Sequence, residues 1–191
     1  MFHRNDGEKG QSLIEVLIVL VVGAIMLSGL SVVVISSMRN AQYAESQIQA
    51  TKYAQEAIDQ IQSIRDANLY GSVKYFDSGV TKDGQFSDFF TLAFNETTGC
   101  GTNGRYFNLV SGTVNGTTQE ILQEVPCGSS NIDLGDKGLT RQILITDQPG
   151  TDMLSGQDYY KVEKNLDVKV NWHDGAGEHS SNLETLLTPQ D

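Results

Sequence analysis

Proline is nearly absent from this 191-residue chain: there are three, and none stands before residue 126. A helix in the first third therefore meets no residue that removes an intrahelical hydrogen bond. Positive charge is sparse too. Thirteen Lys and Arg stand against 24 Asp and Glu, a formal net charge of −11, and the basic residues form no cluster. That balance speaks against binding nucleic acid or anionic lipid through bulk charge. Only two cysteines and three histidines occur. Neither Cys100 nor Cys127 has a CxxC partner or a nearby His, so zinc-site spacing is missing. There is no GxSxG, P-loop or HExxH, and no GxGxxG in a strand–helix setting. No nucleophile stands at sensible spacing from a base and an orienting group. The expectation is a protein that is not an enzyme and holds no cofactor and no metal.

Charge is missing altogether from residues 16–35, which read VLIVLVVGAIMLSGLSVVVI. About 20 such residues make about 30 Å of helix, enough to cross the hydrocarbon of a bilayer. Glu15 sits at the N-terminal edge of this run. A carboxylate there costs about 3 kcal/mol on insertion unless something compensates it, which marks it as a functional residue with a partner to be found. The run is too long for the apolar region of a secretory signal, and no A-x-A-like site follows it. The cleavable-looking element lies in front instead. Residues 1–10 are short, polar and mixed in charge, and they stop at Gly10. A plain N-terminal membrane anchor is the alternative reading of hydropathy alone.

Gly10-Gln11-Ser12-Leu13-Ile14-Glu15-Val16-Leu17-Ile18 resembles the class III signal of type IV prepilins and pseudopilins. The resemblance implies that a prepilin peptidase cuts between Gly10 and Gln11 on the cytoplasmic side. Gln11 then becomes the mature, N-methylated terminus, and Glu15 becomes the assembly carboxylate. The sequence departs from the common pattern at Gln11-Ser12, where an aromatic or apolar residue and then Thr are usual. The family also implies the partners: other pilin or pseudopilin subunits, an inner-membrane assembly platform and membrane lipid. It implies a single-pass membrane protein before assembly, with its C-terminal domain extracytoplasmic, and a filament or cell-surface location afterwards.

Residues 36–68 contain neither Pro nor Gly and are rich in Ala, Gln, Glu and Ile, mostly good helix formers. Ala41, Ala44, Ile48, Thr51, Ala54, Ile58 and Ile61 recur at spacings of three and four, one face of a helix. Small residues at several of these positions suit packing on a sheet better than a coiled coil. One continuous helix is predicted from about residue 12 to about residue 67. Turn residues follow over 68–84, at Asn68, Gly71, Asp77-Ser78-Gly79 and Lys82-Asp83-Gly84. Strands are predicted at 89–94, 105–110, 120–125, 139–146, 161–172 and 182–187, with turn signals between them. In 166–172, Leu166, Val168, Val170 and Trp172 alternate strictly with Asp167, Lys169 and Asn171, a strand with one buried face. A loose loop at Asp174-Gly175-Ala176-Gly177 joins it to the last strand. The fold class is α+β: a long N-terminal helix, transmembrane in its first half, packed on an antiparallel sheet as in type IV pilins. The domain reading is leader 1–10, transmembrane and assembly helix 11–36, amphipathic continuation 37–68, and an extracytoplasmic β-rich domain 69–191.

Cys100 and Cys127 fall in the exported domain, where an even pair points to a disulfide. Closing a loop of about 28 residues stabilises by about 3–4 kcal/mol; two buried free thiols are the alternative. His173-Asp174 and Glu178-His179 flank a Gly-rich turn and raise a weak metal site, read more simply as a hairpin tip. Asp133-Leu134-Gly135-Asp136 is a fragment of a calcium loop without the alternating ligands or the distal Glu. Asn95-Glu96-Thr97 and Asn115-Gly116-Thr117 match the glycosylation acceptor pattern. The strand pattern ending at Trp172 and the helix end at 57–66 are similar to minor pilins of the V/I type, and the missing Pro near Val32 sets the chain apart from major pilins. The expected function is a minor pilin or pseudopilin subunit of a type IV pilus, type II secretion or competence system. The alternatives are a membrane-anchored surface binder or adhesin that never polymerises, a major pilin, and a stalked hydrolase that lacks a visible catalytic constellation.

Overall fold

A computed structural model describes residues 8–77, 80–91, 104–126, 131–135, 138–147 and 163–189. His3, Asn95, Cys100, Cys127 and Asp136 lie outside them. The chain divides into two compact units, Met1–Glu45 and Ser46–Asp191.

Helix α1 runs Glu8–Ala67 without a break, as the missing prolines predict. It ends where Asn68 turns left-handed, with φ 43°. The Asn68 N–H donates to the Ile64 carbonyl at 3.0 Å, and its side-chain oxygen accepts from the Ser87 N–H at 2.9 Å. Such a residue closes a helix because Asn tolerates αL at low cost.

In the second unit the chain continues through β1 (Val73–Asp77), β2 (Val80–Gly84), a 3₁₀ helix (Phe86–Thr91), β3 (Arg105–Val114) and β4 (Thr117–Val125). It then forms β5 (Ile132–Asp133), β6 (Thr140–Asp147), β7 (Lys164–Asp174) and β8 (Gly177–Leu187). The strands make one eight-stranded sheet in the order β2-β1-β4-β3-β6-β7-β8, with β5 on β6. Pairing is antiparallel except between β1 and β4, which run parallel through Val73↔Leu122 and Lys74↔Gln123. The expected antiparallel sheet holds apart from that one pair, in which β1 lies beside β4 with β2, the 3₁₀ helix and β3 between them in the chain.

The core lies between the second half of α1 and one face of the sheet. Ala50, Ala54, Ala57, Ile58, Ile61 and Ile64 pack with Phe107, Leu122, Ile143, Ile145, Leu166, Val168 and Val170. The alternation read in 166–172 holds, and it extends back one step, so that Lys164 is buried with Leu166, Val168, Val170 and Trp172. The predicted helical face holds only in its C-terminal part, where Ala54, Ile58 and Ile61 are buried. Ile48 is 70% exposed, and Ala41, Ala44 and Thr51 are exposed as well. The sheet covers Ala50, Ala54, Ala57, Ile58, Ile61 and Ile64.

Three further expectations are corrected. Residues 69–84 hold the β1–β2 hairpin as well as turns, because Val73 is drawn into the core beside Leu122. Residues 89–91 belong to the 3₁₀ helix, not to a strand. Phe86 and Phe90 are both buried with ring centroids 5.9 Å apart, a spacing that an extended chain cannot give residues four apart. Asp88 starts that turn by accepting from the Gln85 N–H at 2.9 Å. The β7–β8 connection is tight, with Asp174 paired to Gly177. The Asp174 carboxylate accepts from the N–H groups of Ala176 (2.7 Å) and Gly177 (3.2 Å). At the β3–β4 tip Asn115 and Gly116 both take positive φ, 52° and 80°, the two-residue turn that matches strand twist.

Ile61 is fully buried and Ile48 is not. Ile61→Ala should cost about 2–5 kcal/mol, and Ile48→Ala should stay within about 0.5 kcal/mol, both read from urea denaturation of the full chain in detergent. A second expectation concerns the cysteines. Tyr106 opposes Val125 in the β3–β4 hairpin, so Gly104 and Pro126 leave the same end of it. Cys100 precedes Gly104 by four residues and Cys127 follows Pro126. Non-reducing peptide mapping should find the two in one disulfide-linked species, and two free thiols would refute the pairing.

Candidate assembly site

The described residues of the first unit, 8–45, are all helical, and the helix geometry decides what their few polar groups can do. Gly10 and Gln11 stand in the first turns of α1. Glu15 follows Gln11 by four residues, one helical turn on the same side. Glu15 is exposed, and it stands among Leu13, Ile14, Leu17 and Ile18, each more than half exposed. The helix is long and apolar enough to cross a membrane, and none of its most apolar window is buried by the rest of the chain. A face made only of Val, Ile and Leu finds its partner in lipid or in other helices.

The remaining polar groups of the segment are satisfied locally. Ser28 Oγ donates to the Ala24 carbonyl at 2.8 Å, and Ser31 Oγ donates to the Leu27 carbonyl at 2.9 Å. Each hydroxyl thus spends its proton on its own helix. Glu15 is of a different kind: its carboxylate only accepts, and a charge left unpaired in hydrocarbon is costly.

The histidine-flanked turn does not form a converging ligand set. Register places Trp172 opposite His179 and His173 opposite Glu178, so the two histidines lie on opposite faces of the sheet. His179 stacks on Trp172, with centroids 5.5 Å apart, and its Nε2 lies 3.0 Å from Asp174 Oδ1. The Ala176 N–H and then His179 hold the Asp174 carboxyl below the usual carboxylate range. These contacts build the turn. Asp133 is likewise used structurally, accepting from the Gly135 N–H at 2.8 Å. Asn115 is exposed at its hairpin tip. Across β7 and β8, Asp167 directly opposes Glu184. Burial, and then Glu184, push the Asp167 carboxyl above its usual range, against the Asn182 amide at 3.5 Å. Among the described residues no group of three or more His, Cys, Asp or Glu is placed to hold a metal ion.

Sequence reasoning missed the buried charges. Arg105 Nη1 donates to Glu124 Oε2 at 3.1 Å and to the Phe76 carbonyl at 2.9 Å, while Glu124 Oε2 accepts from the Phe76 N–H at 2.6 Å. Lys164 Nζ donates to Asp147 Oδ1. The signal was present in part: Lys164 stands in phase with Leu166 and Val168.

Residues 5–31 match the family model for the prokaryotic N-terminal methylation motif. No curated protein and no solved structure matches the chain. With Gly10, Gln11 and Glu15 all inside the matched stretch, the chain carries a class III signal peptide of the type IV pilin kind.

Proposed function

We propose that the chain is a minor pilin or pseudopilin, a subunit that joins a type IV pilus-like filament through the N-terminal half of α1. One observation carries this reading: Gly10, Gln11 and Glu15 fall within a methylation motif that opens an unbroken apolar helix. Prepilin peptidase removes residues 1–10, and the amine of Gln11 becomes a terminal cation. Each subunit then offers one carboxylate, Glu15, in surroundings where an unpaired charge is costly and a paired one is not. A subunit waiting in the membrane is drawn into register when its Glu15 meets the amine of a neighbour. Val, Ile and Leu around the helix supply the packing of the filament interior. The globular unit stays extracytoplasmic, and the assembly platform supplies the work of extraction. The structural role leaves no step for an active site, in keeping with an exported subunit rather than an enzyme.

Two measurements test this. Mass spectrometry of the membrane-extracted protein should find Gln11 as the first residue, carrying a methyl group, and Gly10→Ala should leave Met1 in place. An uncut wild-type chain in a host with active prepilin peptidase would remove the reading. Glu15→Ala should leave insertion, cleavage and folding unchanged, since removing a carboxylate from an apolar helix eases insertion. Co-expressed with wild type, it should enter filaments about tenfold less often, the equivalent of about 1.4 kcal/mol. Equal counts of the two forms in purified filaments would show that Glu15 does not dock the subunit.

A further inference from the structure

Four charged side chains gather on the core face where β7, β6, β3 and β4 meet one end of the sheet. Lys164 opposes Asp147, Arg105 opposes Ile145 one step inward, and Glu124 opposes Phe107. The signs alternate from strand to strand. The side chains are nearly closed to water, with 1% and 5% exposure for Lys164 and Asp147, and 10% and 11% for Arg105 and Glu124. The pairs are not equivalent. Arg105 donates both to a carboxylate and to a backbone carbonyl. Lys164 carries a titratable amine in the more buried pair.

A buried ion pair often costs more in desolvation than its attraction returns. The Lys164–Asp147 pair has a way out that the Arg105–Glu124 pair lacks. Burial lowers the Lys164 pKa from its usual value, against the hydrogen bond and charge of Asp147, and the neighbouring Arg105 cation lowers it further. Desolvation and a second cation are the two conditions that turn a lysine into a nucleophile. Its electrophile is already in contact, held by the antiparallel ladder between Asp147 and Lys164. Such fixed proximity stands in for a very high reactant concentration.

We propose that Lys164 Nζ and Asp147 Cγ are joined by an amide bond, a covalent cross-link between the last residue of β6 and the first residue of β7. Proton transfer from Nζ to the carboxylate converts the ion pair into a neutral amine and a neutral acid. The amine lone pair then forms the N–C bond at Cγ. A second proton passes from nitrogen to the hydroxyl oxygen, the C–O bond breaks with its electron pair, and one water leaves. No oxidant, nucleotide or other reactant is consumed. Both buried charges disappear, and the amide that replaces them closes residues 148–163 into a covalent loop. The bond is independent of filament assembly, so its failure would leave the proposed function untouched.

Tryptic mapping of the reduced, denatured full chain tests it. Without the bond, trypsin cuts after Arg141, Lys161 and Lys164 and releases linear peptides 142–161 and 162–164. With the bond, Lys164 is no longer a cleavage site. A single branched species then joins 142–161 to 162–169, lighter than the two parts by one water. Lys164→Met removes the nucleophile and should return 142–161 at its sequence mass. Asp147→Ala should restore cleavage after Lys164 and release 162–164. Should either variant fail to fold, the wild-type digest decides alone. Linear 142–161 and 162–164 from the wild type, with no branched species, would mean an ion pair only and would overturn the proposal.

Discussion

A stripe of small and branched residues on one helix holds the globular unit together. Ala50, Ala54 and Ala57 present nothing beyond Cβ, and Ile58, Ile61 and Ile64 carry the larger apolar side chains of the stripe into the core. Larger residues at the alanine positions would force the helix away from Phe107, Ile143 and Val168 and open the core. The strands on their own present one apolar face and gain little until that face is covered. The sheet order, with β1 carried across to β4, serves the same stripe, since it brings Val73 and Leu122 under the end of the helix.

In its first half the same helix faces a different solvent. Around residues 13–35 nearly every side chain is apolar, and in the first unit none of them is buried. Lipid accepts that surface because the helix satisfies its own backbone, and Ser28 and Ser31 fold their hydroxyls back onto it. Glu15 is the charged exception at the edge of the run, and a carboxylate left unpaired in hydrocarbon is costly. The two halves thus divide the labour by composition: a helix apolar all round for the membrane, and a helix with one apolar stripe for the sheet.

Several charged groups of the globular unit close strand ends and turns. Arg105 and Glu124 knit β3 and β4 to the backbone of β1, and Lys164 and Asp147 close the β6–β7 pair. Asp174 is spent on the two N–H groups of its own turn. Each of these carboxylates accepts donors that would otherwise be left without partners where a strand stops.

The apolar run and the absence of Pro were enough to read one long helix that is apolar in its first half, and Gly10 to Glu15 carried the likeness to a class III signal, because each rests on local composition read along one dimension. The strand from Leu166 to Trp172 was legible for the same reason: period-two alternation needs no knowledge of the partner. Asn115-Gly116 announced its turn through φ values that few residues adopt. What the tertiary structure decided was everything that depends on which surfaces meet. A helix with small residues on several sides could have buried Ile48 and Thr51 or Ala50 and Ala57, and only the sheet chose. The β1–β2 hairpin reads as turns until Leu122 supplies its neighbour, and Phe86 and Phe90 make a 3₁₀ turn only because both rings must reach the core. Lys164 and Asp147 are 17 residues apart in the chain and become opposite neighbours through strand register alone, which side-chain chemistry in one dimension does not specify.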